Sequence, residues 1–194
     1  MLFFFCSCAK AEDAVVVPID SINGKKVLIV YLTRTGNTEA VAKMIQQQVG
    51  GNLVSLELQT PYPENYQATV QKVSNENTSG YLPPLKTVIN NIQQYDIVFI
   101  GFPTWGMRLP PPMKTFLTQY NLKGKTVVPF NTNAGYGLGS CIDTINQLCP
   151  NSKVLEAFSV QGGIERDGVI FVIQGEKEVQ VRLSVNQWLS SLKF

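Results

Sequence analysis

Ile29-Val30-Tyr31-Leu32-Thr33-Arg34-Thr35-Gly36-Asn37-Thr38-Glu39-Ala40-Val41-Ala42 runs from an apolar stretch, through a polar turn with one glycine, into a helical pattern. The residues that lead into it, Val27-Leu28-Ile29-Val30, are apolar without a break, as in a strand buried on both faces. The helix after the turn starts near Asn37 or Thr38, buries Val41, Ile45 and Val49 at i, i+4 spacing, and stops at Gly50-Gly51. Between the two, Thr33-Arg34-Thr35-Gly36-Asn37-Thr38 gathers hydroxyl and amide side chains around a helix N-terminus. Such a turn can aim backbone N–H groups and the positive end of the helix dipole at a dianion. It has neither the Gly-x4-Gly-Lys-Ser/Thr spacing of a Walker A loop nor the Gly-x-Gly-x-x-Gly turn that admits a pyrophosphate. A phosphomonoester fits it better. Taken alone, the loop also reads as an ordinary capped strand-to-helix turn.

Outward from this stretch, apolar runs alternate with helical patterns, with strands expected at 27–32, 53–58, 97–102, 127–130 and 154–160. That alternation indicates an α/β fold with a parallel sheet covered on both faces. Ile97-Val98-Phe99-Ile100 is as continuously apolar as the first strand, which places both at the centre. Val54, Leu56 and Leu58 instead alternate with Ser55 and Glu57, which places the second strand at an edge. A last helix, 178–192, buries Val181, Val185, Trp188 and Leu192, and the stretch 62–84, rich in Pro, Asn, Ser and Tyr, reads as a short helix between loops. Val169-Ile170-Phe171-Val172-Ile173 is a candidate sixth strand between Gly168 and Gly175. No repeat or linker divides the chain, so residues 25–194 are expected to form one domain behind a tail at 1–24.

Composition removes several function classes. The chain has 194 residues and no histidine, which excludes Ser-His-Asp and Cys-His catalysis and most zinc and haem sites. No metal site is expected. A net charge of +2 provides no basic field of the kind that binds nucleic acid. Cys141 and Cys149 stand eight residues apart on one expected helix, about 12 Å along its axis, too far to bridge. Cys141 lies near a helix N-terminus but has no base near it in sequence, so it reads as a small buried residue. The start, Met1-Leu2-Phe3-Phe4-Phe5-Cys6-Ser7-Cys8, is apolar and then turns polar, like the tail of a secretion signal shorter than a complete one. Ser7-Cys8 resembles the end of a bacterial lipoprotein cleavage box, which implies a lipid anchor at Cys8 and an exported, periplasmic protein. The other reading is a cytoplasmic tail. No other stretch approaches the ~20 apolar residues of a membrane span.

In an open α/β sheet, ligands bind beyond the carboxyl ends of the strands where strand order reverses, here between the first and third strands. The loops that follow are therefore the ones to read. After the third strand comes Gly101-Phe102-Pro103-Thr104-Trp105-Gly106-Met107-Arg108-Leu109-Pro110-Pro111-Pro112, an ordered surface turn carrying a tryptophan. After the fourth comes Asn131-Thr132-Asn133-Ala134-Gly135-Tyr136-Gly137-Leu138-Gly139-Ser140. The stretch from Ile29 to Ala42 is similar throughout to the flavodoxin phosphate-loop signature, and the two later loops resemble that family's flavin loops; the resemblance covers about 25–192.

The resemblance implies a flavodoxin-like three-layer sandwich, a five-stranded parallel sheet in order 2-1-3-4-5 with helices on both faces, and one bound FMN. In that family the hydroxyls at Thr33, Thr35 and Thr38 and the amides of Gly36 and Asn37 would hold the phosphate. Arg34 stands at a variable position, either solvent-facing or paired with the phosphate. In the second loop, Pro103, Thr104, Trp105 and Gly106 would meet the ring, with Trp105 stacked on it; a tryptophan packed in the core is the other reading. The third loop, Asn131, Thr132, Asn133, Ala134, Gly135, Tyr136 and Gly137, would hydrogen-bond the pyrimidine edge, and Tyr136 could cover the second ring face. The segment 165–175 has no counterpart in the short family pattern and would add a strand or cover the flavin.

Three functions follow: an electron carrier that exchanges electrons with a redox partner protein or a small donor or acceptor, an FMN-dependent NAD(P)H or quinone oxidoreductase, and a binding protein without redox work. Intact matches in all three loops weigh against the last. No residue is expected to catalyse hydride transfer, because that chemistry belongs to the flavin. The family's carriers are strongly acidic and this chain is not, so a less negative potential for full reduction of the flavin is expected.

Overall fold

The five apolar residues Val27–Tyr31 form β1, and all five are buried because the sheet is covered on both sides of it. This computed structural model describes Ile22 and residues 24–194. The expectations about residues 1–8, including acylation of Cys8, lie outside the described residues. β2 (Asn52–Ser55) flanks β1 on one side; β3 (Ile97–Pro103) and then β4 (Thr126–Asn133) follow on the other, all parallel. Two short segments, β5 (Lys153–Val154) and β6 (Phe158–Gln161), share the fifth position against β4. The order is therefore 2-1-3-4-5, as expected.

Around the sheet lie α1 (Asn37–Val49), α2 (Tyr66–Ser79), α3 (Pro111–Gln119), α4 (Cys141–Leu148) and α5 (Gly175–Ser191). Alternate strand residues sort into two cores. Leu28, Val30, Val98, Ile100 and Val127 pack with Met113 and Phe116 of α3 and Ile145 of α4. Ile29, Tyr31, Phe99, Val128 and Phe130 pack with Val41 and Ile45 of α1 and Val185, Trp188 and Leu189 of α5. No helix among the described residues is long and apolar enough to cross a membrane.

Four expectations need correction. The second strand ends at Ser55, beyond which Leu56 and Leu58 are buried without ladder pairing, Leu58 by a single bridge to Leu85. The fifth strand is interrupted. Val127 pairs with Val154 and Phe130 with Phe158, so four steps on one strand oppose three on the other, a bulge of one residue. Bonding alternates along β4: Thr126 N–H goes to Asp96 of β3's side, whereas the Val127 carbonyl accepts from Leu155. Pro129 therefore meets the fifth strand where it has no N–H to give.

The helix in 62–84 is not short. α2 has 14 residues, capped by the Asn65 side chain on Ala68 N–H and ended by Gly80 at φ 71°. Its periodicity is weak because it buries only Thr69, Val73 and Glu76. Finally, 169–173 is not a strand: its one β pairing among the described residues is the isolated bridge of Val169 to Ile164, and it folds over the start of α1.

Candidate functional site

β1 delivers the chain into the first loop, and α1 begins without a side-chain cap, at Gly36 with φ 83°. Gly36 N–H is satisfied by Thr33 Oγ1 at 3.1 Å, and the first backbone helix bond is Ala40 N–H to Gly36 carbonyl. The N–H groups of Asn37 and Thr38 have no acceptor among the described residues, although both residues are buried. Buried, unpaired N–H groups at a helix N-terminus call for an acceptor from outside the chain. Thr38 Oγ1 meets Thr132 Oγ1 of β4 at 2.8 Å, joining the first loop to the third.

Arg34 is not solvent-facing: it lies on the cavity side of the loop, paired with the chain's own groups. Its Nε donates to both carboxylate oxygens of Glu165, at 2.8 and 2.9 Å, while Nη1 and Nη2 donate to the carbonyls of Pro63 and Glu64. It ties the segment before α2 and the segment before α5 to the loop.

The second loop makes a tight turn. Trp105 and Arg108 exchange backbone hydrogen bonds at 3.2 and 3.1 Å around Gly106 and Met107, both at positive φ, 56° and 60°. Methionine in that region is strained. The turn is held because the Met107 carbonyl accepts from Ser140 N–H at 3.0 Å and from its hydroxyl. Trp105 is half-buried with its ring edge-on to Tyr62, centroids 5.3 Å apart at 88°. The Tyr62 hydroxyl donates to the buried carboxylate of Glu76, and that partner, together with burial, raises the phenol above its ordinary range.

The fourth strand runs on to Asn133 rather than ending at Phe130, and two asparagines at its end, Asn131 and Asn133, shape the third loop. Asn131 is fully buried and donates to the Phe102 carbonyl and Thr104 Oγ1. Asn133 Oδ1 accepts from Gly135 N–H at 2.8 Å and Gly137 N–H at 3.1 Å, so those two amides face the loop's own side chain. Thr104 Oγ1 in turn donates to the Gly137 carbonyl. Tyr136 is 68% exposed. Beneath these loops the Cys141 thiol is buried and pushed up to about 11, chiefly by desolvation, which suits an inert core residue.

The three loops converge on one cavity of about 480 Å³. Its wall takes Arg34, Thr35, Asn37 and Thr38 from the first loop, Pro103, Thr104, Trp105 and Gly106 from the second, and Thr132, Asn133 and Ala134 from the third. Thr33, Gly36, Asn131, Gly135, Tyr136 and Gly137 are not on it; they shape the loops behind it or lie at the rim. Sequence reasoning missed three contributors. One face of α2, including Thr69, Val70, Val73 and Asn77, closes the cavity, and Arg108 and the pair Gly162-Gly163 with Glu165 complete it. The α2 residues recur at helical spacing, but a mixed face of threonine, valine and asparagine gives no contrast by which to find it.

Comparison with known proteins agrees with this architecture. No curated protein matches the chain. A presumed flavoprotein of Bacteroides eggerthii is similar in structure, with a TM-score of 0.70 and 26% identity over 88% of this chain and 99% of that one. A second, from Bacteroides uniformis, has a TM-score of 0.70 at 23% identity, covering 87% and 99%. A flavoprotein of Lactobacillus acidophilus, solved in complex with FMN, has a TM-score of 0.64 at 21% identity, covering 70% and 93%. The family model for flavodoxin matches residues 26–174, and with the loops where that family carries them, the chain belongs to the flavodoxin family.

Proposed function

We propose that the chain binds one FMN in this cavity and serves as an electron-transfer protein. The observation that carries the reading is the uncapped start of α1. Asn37 and Thr38, buried residues whose backbone N–H groups have no acceptor among the described residues, line a cavity that also takes the half-buried Trp105. A phosphomonoester joined to a flat aromatic ring has both features. The similar Lactobacillus acidophilus protein, in complex with FMN, supports the same choice of ligand.

In this reading the N–H groups of Asn37 and Thr38, with the hydroxyls of Thr35 and Thr38, hold the phosphate. Trp105 lies against the ring, a contact that contributes roughly 1 kcal/mol beyond area burial. Tyr62 packs against the indole in a perpendicular, edge-to-face contact. Asn133 and Ala134 present the third loop to the ring's polar edge. Bound FMN supplies reversible uptake of one or two electrons; the chain positions it and sets its surroundings.

The charge of the chain bears on the potential. At about 10 Å and an effective dielectric near 20, each carboxylate around a reduced, anionic flavin would oppose reduction by roughly 1.7 kcal/mol before salt screening. A chain of net charge +2 lacks most of that field, so its potential for full reduction is less negative than in a strongly acidic relative. Gly106, Met107 and Tyr136 leave the rim exposed, which suits exchange of electrons with a partner. The test is to mix the FMN-loaded protein with NADPH in a stopped-flow instrument without a reductase. A carrier stays oxidised for minutes. Bleaching within seconds would replace the carrier reading with an NAD(P)H-dependent oxidoreductase.

A further inference from the structure

The segment between β6 and α5 is pinned to the first loop along its length. Residues 162–173 cross the start of α1 as a strap. Glu165 holds Arg34, the Ile170 carbonyl accepts from Asn37 Nδ2 at 2.7 Å, and the N–H groups of Val172 and Ile173 donate to Asn37 Oδ1 at 3.0 and 3.3 Å. The approach is close enough to require glycine. A Cβ on Gly162 would lie 3.2 Å from that of Asn37, and one on Gly163 only 2.0 Å from the Ile170 carbonyl. The Phe171 ring stands 3.3 Å from where Gly36 would carry a Cβ. Gly162, Gly163 and Glu165 also line the cavity, at the end formed by Thr35, Asn37 and Thr38.

A flavin ending in a phosphomonoester needs no room past that loop. In FAD the same phosphate is esterified onward to a second phosphate and adenosine, which need room beyond the first loop, and the strap is fastened over that loop. We propose that the strap is the specificity determinant of the phosphate end, closing it beyond the first phosphate so that FMN is accepted and FAD is rejected. The inference rests on the reading of the cavity as a flavin site and sharpens it to a choice between flavins.

The experiment is a titration of the apoprotein with FMN, FAD and riboflavin, followed by flavin fluorescence. A double variant, Glu165→Ser with Phe171→Gly, loosens the strap while leaving Asn37 in place. The wild-type chain is expected to bind FMN roughly a hundredfold more tightly than FAD, and the double variant to narrow that ratio roughly tenfold. Equal binding of FMN and FAD by the wild-type chain overturns the proposal while leaving the flavin site standing, and needs no variant that folds. A folded double variant that binds FMN and keeps the wild-type ratio overturns it as well. Failure of the wild-type chain to bind any flavin is a different result, and removes the site on which the inference depends.

Discussion

At one end of the cavity the side chain of Asn37 makes four hydrogen bonds, to Thr35, Ile170, Val172 and Ile173, and Arg34 beside it is held by Glu165 and two carbonyls. At the other end Gly106, Met107 and Tyr136 are exposed, and the amides of Gly135 and Gly137 are tied only to Asn133. The difference assigns the work. On the proposed reading the phosphate end is held by the chain's own hydrogen bonds, so little entropy would be lost on binding there. On the proposed reading the ring end is the accessible one, as electron exchange would require, and its order is confined to the turn that carries Trp105.

Substitutions can break this comparison. The largest effect is expected from Thr35→Glu, which sets a carboxylate against the phosphate. A unit charge at about 4 Å and an effective dielectric near 20 costs about 4 kcal/mol, roughly a thousandfold in affinity for FMN. Riboflavin, which has no phosphate, should lose far less. Equal losses for the two ligands would mean that this end is not the phosphate site.

Next is Asn37→Ala, which removes all four bonds of that side chain. At about 1 kcal/mol net for each, urea unfolding should show a loss of roughly 3–4 kcal/mol, with faster amide exchange at Val172 and Ile173. A loss below about 1 kcal/mol would show that the strap is not held there.

At the ring end, Tyr62→Phe keeps the ring against Trp105 but takes the hydroxyl from Glu76, whose other carboxylate oxygen has no partner among the described residues. Stability should fall by about 1–3 kcal/mol while FMN affinity changes little. A large fall in affinity with stability intact would make the hydroxyl part of the site.

The smallest effects concern the thiols. Burial pushes Cys141 and Cys149 up to about 11, so both should resist alkylation in the native protein at pH 8, as read by peptide mapping. The sign of their contribution to stability follows. Unfolded thiols release protons at lower pH than these do, so the contribution is present below about 9 and is lost as pH rises towards 11. Cys141 lies against Thr104 of the second loop and Cys149 does not. FMN should therefore slow alkylation of Cys141 further and leave Cys149 unchanged.

Much of this architecture was legible in the chain. Unbroken apolar runs placed β1 and β3 at the centre, and the turn from Thr33 to Thr38, read with the loops after Phe102 and Phe130, pointed to the place where strand order reverses. What was not legible depended on long-range partners. Val169-Ile170-Phe171-Val172-Ile173 has the composition of a strand, but no free sheet edge receives it and the Asn37 side chain takes its N–H groups instead. Arg34 is a lone cation in sequence, and its partners lie 29, 30 and 131 residues away. The α2 wall carries no contrast between apolar and polar faces, and the bulge in the fifth strand needs Pro129 on its neighbour to be anticipated.

A flavin whose phosphate sits at Thr35–Thr38 should bring its ring to Trp105. Trp188, the other tryptophan, is buried against Phe99 and Phe158, with its indole N–H on the Glu156 carbonyl, away from the cavity wall. Titrating the apoprotein with FMN while recording tryptophan emission therefore tests the claim directly. The predicted result is saturable quenching with one FMN per chain, most of it lost in Trp105→Phe although that variant still binds FMN. Quenching that survives unchanged in Trp105→Phe would place the ring elsewhere and contradict the account.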